Sequence, residues 1–262
     1  MSDPIAMPFH TCNQDGLKHS VCSHLAVPHA MFMRHGGVSP APYDSLNCGD
    51  RVGDAPEHVT ENRTRMARVL GLEGLRTVTQ VHGDRIIIHG PQQQTDEEQA
   101  DAILTDIAGI GLLIQQADCQ AVLLHDPVRG VIGAVHSGWR GSVLNILGKT
   151  ILEMQRTFSC NPDEIQAVIS PSLGPCCAEF IHYKKELPAP LHQFHVGNNH
   201  IDFWAISRWQ LECAGLRSDH IWISRQCTMC NKDYFSYRRS VRNGKMETGR
   251  NGSMIGLPSE ER

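Results

Sequence analysis

The sequence predicts a mixed α/β fold, and three observations carry that expectation. Between residues 102 and 134 short apolar runs alternate with Gly, Asp and Pro turns, a strand-rich pattern. After Gly141, Val143, Leu144, Ile146, Leu147, Ile151, Leu152 and Met154 recur at helical spacing. No stretch has linker composition and no internal repeat is evident. The 262 residues therefore read as an irregular lead-in over 1–28 and one domain over 29–262.

Taken in order, the chain is weakly periodic up to Pro28, with scattered His and Cys. Residues 30–34 read as a short strand entering the loop 35–40. Asp54-Ala55-Pro56-Glu57 has the signature of a helix start, an N-cap carboxylate with a Glu three residues on. Val59, Met66, Val69 and Leu70 then form one apolar face, with Gly71 as the stop. Residues 77–81 read as a strand ending at His82, and 85–89 continue the β-like region. The polar stretch 92–99 reads as a surface loop. Strands over 111–116 and 130–135 lead to Cys119 and His136. Asn161-Pro162-Asp163-Glu164 opens a short element before a strand over 166–170. A helix over 202–216 closes near Gly215, and 221–224 form a last strand.

Composition removes several function classes. A formal charge of −4 without a basic stripe gives no footprint for nucleic acid. No long uninterrupted apolar run is present, so no membrane span is expected. The first seven residues have neither a basic nor an apolar segment of a signal peptide, which makes a cytoplasmic protein the expectation. In a reducing compartment the ten cysteines read as buried hydrophobes, ligands or nucleophiles rather than disulfides. Cys227-Thr228-Met229-Cys230 has metal-knuckle spacing, but no second Cys-x-x-Cys exists. The adjacent Cys176-Cys177 is poorly placed for a zinc ribbon, so buried thiols are expected there. Most of the fifteen histidines, His58 and His220 among them, read as ordinary surface or core groups.

Three positions stand apart. His82, Cys119 and His136 each follow a strand-like run, where functional residues on a rigid scaffold gather. Two imidazoles and a thiolate suit Zn²⁺, and a set of three leaves a fourth tetrahedral position for water or substrate. The turn Ser137-Gly138-Trp139-Arg140-Gly141 leads from strand to helix, and Arg140 in it could take a phosphate or carboxylate. The alternative for that turn is a packed Trp139 and a solvated Arg140. The basic run 237–242 could bind an anion or form a solvated, ion-paired face. There is no His-Glu-x-x-His, no deaminase Pro-Cys-x-x-Cys pairing, no Gly-x-Gly-x-x-Gly or Walker loop, and no His-x-His.

These residues, with others in the same order, resemble the YfiH family of laccase-domain, polyphenol-oxidase-like proteins. The matching pieces are Arg34-His35-Gly36-Gly37-Val38-Ser39, Pro42-Tyr43-Asp44-Ser45-Leu46-Asn47-Cys48-Gly49, Val52-Gly53-Asp54, Asn62-Arg63 and Gln80-Val81-His82-Gly83. They continue through Ala100-Asp101-Ala102, Ala117-Asp118-Cys119, His136-Ser137-Gly138-Trp139-Arg140-Gly141, Cys227-Thr228, Phe235-Ser236-Tyr237-Arg238-Arg239 and Thr248-Gly249-Arg250. The resemblance implies an α+β fold, a single layered α/β domain with mixed β-sheets flanked by helices. It also implies a zinc held by His82, Cys119 and His136, the trio reached from the residues themselves. Copper is the alternative metal, after an older polyphenol oxidase label. The sequence departs from the family pattern at Ser137, at Ser170-Pro171-Ser172-Leu173-Gly174 and at Ala178, changes that bear on substrate preference rather than on the ligands.

The expected function is therefore a zinc-dependent purine nucleoside enzyme. The resemblance implies phosphorolysis of adenosine, inosine and methylthioadenosine, and deamination of adenosine. The partners are then a nucleoside and phosphate, and a homo-oligomer is compatible with them. Arg140 is the first candidate for the phosphate, with Arg34 and Arg238 behind it. Asp118 is assigned to proton transfer or to orienting a ligand. One rival is a cysteine hydrolase with Cys119 as nucleophile and His136 as base, such as an amidase editing peptidoglycan precursors. Another is a non-catalytic zinc protein with a fourth protein ligand, either His35 or a further Cys. A multicopper oxidase fits least well with one three-ligand set.

Overall fold

A computed structural model describes residues 8–90 and 98–259. Twelve strands form two six-stranded mixed sheets, and the helices lie outside them. The first sheet runs in the order β1 (Phe9–Gln14), β2 (Leu17–Cys22), β3 (His29–Phe32), β12 (Asn251–Gly256), β7 (Ile110–Gln116), β4 (Gly74–Arg76). The second runs β11 (Ile221–Ile223), β10 (Gln166–Ile169), β8 (Gln120–Asp126), β9 (Val131–Ser137), β6 (Ala102–Thr105), β5 (Ile86–Ile88). Most pairings are antiparallel; β4 with β7, β5 with β6 and β10 with β11 are parallel.

The layering follows from side-chain alternation along the strands. On β8, Ala121 and Leu123 face the first sheet, while Val122 and Leu124 face the helices α3 (Ile146–Phe158) and α5 (Phe203–Cys213). On β7, Leu112 and Ile114 enter the space between the sheets, and Leu113 turns to α1 (Pro56–Val69), where it meets Met66 and Val69. Three apolar cores separate four layers, helix, sheet, sheet, helix. The central strands are therefore covered on both faces, which explains the apolar runs of β7, β8 and β9.

Four elements differ from the sequence-based expectation. The lead-in is not irregular over 9–22: β1 and β2 form a hairpin around Asp15-Gly16, whose φ values of 52° and 78° suit a two-residue turn. Residues 1–7 lie outside the described set, as does most of the polar stretch 92–99. Helix α1 starts at Pro56 with Ala55 as its N-cap and no side-chain cap. Asp54 instead accepts from the Ala55 N–H and from Asn47 Nδ2. The helix predicted after Gly141 begins at Trp139 and is split into α2 (Trp139–Leu144) and α3 by Asn145, at φ 54°. Residues 77–81 carry only an isolated bridge between Thr79 and Gln99. They are tied to β7 by side chains, Gln80 Nε2 donating to Gln115 O and the Gln115 N–H to Gln80 Oε1.

Candidate metal centre

The three predicted ligands meet at one edge of the two sheets. Cys119 sits in the turn between β7 and β8, His136 is the penultimate residue of β9, and His82 projects from the loop that follows β4. Their ligand atoms lie within 4.8 Å of one another, with Cys119 Sγ 4.0 Å from His82 Nε2. Bonds of about 2.0–2.3 Å to a tetrahedral zinc require donor separations of about 3.3–3.8 Å, so the trio is nearly preformed for such an ion. Among the described residues the set has three donors. His35 is not among them; its Nε2 lies 3.0 Å from Asp233 Oδ1.

A buried carboxylate builds this geometry. Asp101, fully buried immediately before β6, accepts at Oδ1 from His136 Nδ1 (2.8 Å) and the His82 N–H (3.0 Å). Its Oδ2 accepts from the Val81 N–H (3.2 Å) and the Gly83 N–H (2.6 Å). The first contact turns His136 Nε2 toward Cys119; the others hold His82 at φ 60°, a left-handed conformation that a non-glycine residue adopts only under constraint. Asp101 was not singled out for a role from the sequence, although the Ala100-Asp101-Ala102 motif marks it. Gly138 closes the other side: a Cβ there would come 3.0 Å from Cys119 Sγ and 3.3 Å from His82 Cδ2.

The electrostatics are those of a charged pair. Desolvation pushes the Cys119 thiol up, but the His136 imidazolium and His82 outweigh it and hold it at about 6. Desolvation likewise pulls His136 down, and the Cys119 thiolate and Asp101 raise it to about 9. Burial also works against the Asp101 charge, and its bonds from His136 and the loop N–H groups hold it below the usual carboxylate range. A thiolate at neutral pH is the form that binds metal or attacks carbon.

Two clefts flank Cys119. One, of about 170 Å³, is walled by Trp139, Leu173, Phe180, Phe203, Tyr237 and Arg238. The other contains His82 and His136 together with Arg51, Gln80, Gln115 and Arg250. Arg51 carries no local signal in the sequence, and Arg250 is marked only by the Thr248-Gly249-Arg250 motif without a role; both arrive from distant loops.

The remaining predicted residues separate. Asp118, at φ 87°, accepts from Thr228 Oγ1 (2.7 Å) and the Arg238 N–H (2.6 Å), which anchors the Cys119 turn. Arg238 reaches the aromatic cleft. Arg140 does not line either cleft: it is exposed and lies over the Trp139 ring at 4.5 Å. Arg34 is also elsewhere, paired with Asp44 at 2.9 Å and set over Phe235. Neither the Arg140 nor the Arg34 guanidinium lines a cleft beside Cys119. The Cys176-Cys177 pair, expected to be poorly placed, is brought beside Cys227 and Cys230.

Comparison with known proteins matches this architecture. Among curated relatives, a purine nucleoside phosphorylase of Deinococcus radiodurans is 36% identical over 247 residues, covering 90% of this chain and 92% of the relative. The purine nucleoside phosphorylase YlmD of Geobacillus stearothermophilus is 33% identical, covering 87% and 89%. Among solved structures, the hypothetical protein YfiH of Bacillus licheniformis superposes with a TM-score of 0.85 at 30% identity, covering 95% of this chain and 99% of that one. YlmD of G. stearothermophilus gives the same TM-score at 28% identity, covering 97% and 100%. A family model described as multi-copper polyphenol oxidoreductase laccase matches residues 28–258, and the chain belongs to this laccase-like YfiH family.

Proposed function

We propose that the protein is a zinc-dependent purine nucleoside phosphorylase whose metal is held by His82, Cys119 and His136. The observation that carries this reading is the pairing of two unlike clefts across Cys119. The aromatic one has the size and lining for a planar base. The polar one offers the Arg51 and Arg250 guanidiniums for phosphate and the Gln115 amide for ribose. The names of the relatives point the same way.

Zinc would supply Lewis-acid stabilisation of charge developing on the purine. In phosphorolysis the bond between the base nitrogen and ribose C1′ breaks, its electron pair leaving with the purine, and a phosphate oxygen bonds to C1′. The products are the free base and ribose 1-phosphate. Arg250 and Arg51 neutralise and orient the phosphate, while Trp139 and Phe180 hold the base in the aromatic cleft. Asp101 fixes the His136 tautomer. Methylthioadenosine would be cleaved in the same way. Deamination of adenosine, in which water replaces the 6-amino group and ammonia leaves, belongs to the same proposal with the base turned toward the centre. Among the described residues there is one histidine-containing ligand set, which suits a single metal rather than a multicopper cluster.

A second reading rests on the paired thiolate and imidazolium. Cys119 held at about 6 beside His136 at about 9, with Asp101 behind, is also the arrangement of a cysteine nucleophile and its base. Zinc would block that chemistry and sustain the first. The test is product analysis after incubating metal-quantified protein with adenosine and with inosine, with and without phosphate. Base and ribose 1-phosphate formed only with phosphate support phosphorolysis; inosine formed from adenosine without it supports deamination. Absence of product from the zinc-loaded protein refutes both.

A further inference from the structure

Away from the nucleoside centre the fold gathers Cys176, Cys177, Cys227 and Cys230, whose sulfurs all lie within 4.8 Å of one another. None of the four enters the chemistry described above. Cys177 and Cys227 are buried, and Cys176 and Cys230 reach the surface. We propose that these four thiolates form a second, structural metal site that takes a tetrahedral Zn²⁺.

The spacing of the sulfurs is the first argument. Cys176 Sγ and Cys177 Sγ stand 3.7 Å and 3.5 Å from Cys230 Sγ. Zinc–sulfur bonds of about 2.3 Å place the sulfurs of a tetrahedral four-thiolate site about 3.8 Å apart. A disulfide needs about 2.05 Å, so the cluster is too open for bonded pairs and close to the size of a zinc cage. Chain geometry is the second. Cys227 and Cys230 form a Cys-x-x-Cys turn in which backbone N–H groups of Cys230 and Gly174 point at the Cys227 sulfur, and the Asn231 N–H closes the turn on Cys227 O. Gly174 can approach because it lacks a side chain; a Cβ there would lie 3.1 Å from Cys227 Cβ.

The position of the site gives it a task. It joins the segment around 172–177 to the turn 227–231, which otherwise meet through the bridge between Ser172 and Cys227. Both segments hold the Cys119 turn: the Leu173 N–H donates to Asp118 O, and Thr228 Oγ1 donates to Asp118 Oδ1. Leu173 also lines the aromatic cleft. A metal here braces one wall of that cleft without touching substrate, and closes a chain loop of more than fifty residues.

The test begins with the unmodified protein: total zinc is measured, and thiol alkylation is mapped by peptide mass before and after chelation. The expected result is a second zinc equivalent beyond that of the His82 set, with Cys176, Cys177, Cys227 and Cys230 protected until zinc is removed. Cys230→Ser and Cys176→Ser should each lose one equivalent. Should they fail to fold, the Cys119→Ala protein loaded with Co²⁺ keeps the question open to decision. With the nucleoside centre disabled, it should still develop the intense visible and sulfur-to-cobalt bands of a four-thiolate site. Four cysteines freely alkylated or joined as disulfides without chelation would overturn the proposal, whatever the total zinc. So would the absence of those bands in Co²⁺-loaded Cys119→Ala.

Discussion

Replacing Asp101 with Asn keeps the size of the side chain and removes half of its accepting capacity. Each carboxylate oxygen takes two N–H donors, His136 Nδ1 and His82 N on one, Val81 N and Gly83 N on the other. An amide places its NH₂ against one of these pairs, so two bonds are lost whichever way it turns. A buried donor left without a partner costs about 1–3 kcal/mol, which puts the lesion at roughly 2–6 kcal/mol. Part of this appears as stability, a fall in Tm on the order of 10 °C. The rest appears at the metal, because His82 loses its backbone tether or His136 its tautomer. Groups that orient a metal-bound histidine are worth about 10- to 100-fold in affinity. Competition of Zn²⁺ against a chelating dye should therefore show weaker binding by that factor in Asp101→Asn, and more in Asp101→Ala. An Asn variant that holds zinc as tightly as the parent would refute the assignment of Asp101 as the positioning residue.

Other expectations follow from the same geometry. In metal-free protein, alkylation of Cys119 should rise with pH through a midpoint near 6, since only the thiolate reacts; His136→Ala should return the midpoint toward an ordinary thiol, and a midpoint near the ordinary value in the parent would contradict the pairing. The pair should leave little pH dependence in stability at neutral pH. The contribution of His136, raised to about 9, fades as pH rises above its unfolded value, while that of Cys119, lowered to about 6, grows over the same window, so denaturant melts near pH 7 and pH 8 should agree at this site. Gly138→Ala should weaken zinc binding without unfolding the protein, because its Cβ presses on Cys119 Sγ and His82; unchanged affinity would show that the ligands relax freely. Arg250→Gln should raise the KM for phosphate by about 10- to 100-fold, the worth of a charge-assisted contact, with a smaller effect on nucleoside. Arg140→Ala and Arg34→Ala should stay close to the parent, and the reverse order would restore Arg140 as the phosphate ligand.

Much of the central fold is legible locally. β7 to β10 announce themselves because strands covered on both faces are nearly all apolar. The β1–β2 hairpin is not, since β1 lies at a sheet edge with mostly exposed residues, and Asp15-Gly16 was its one clear signal. β12 escapes because Asn251-Gly252-Ser253 looks like a turn, yet its small residues are what a strand packed between β3 and β7 requires. The run at 77–81 looks like a strand but is held by the Gln80 side chain in place of a ladder. At the site, the three ligands were readable because each ends or interrupts a recognisable apolar run. Asp101, Arg51 and Arg250 were not, because their roles depend on which loops the two sheets bring to one edge. The four cysteines show the same limit: a knuckle at 227–230 is visible in the chain, but its partners at 176 and 177 are supplied by tertiary structure alone.

The most direct measurement is base release from inosine in the presence of phosphate by protein stripped of metal and then titrated with Zn²⁺, beside Cys119→Ala treated identically. The stripped protein should show no turnover, recover it as zinc is restored, and the variant should show none at any loading. Turnover that is independent of zinc, inhibited by it, or retained in Cys119→Ala would contradict a zinc-dependent centre at Cys119.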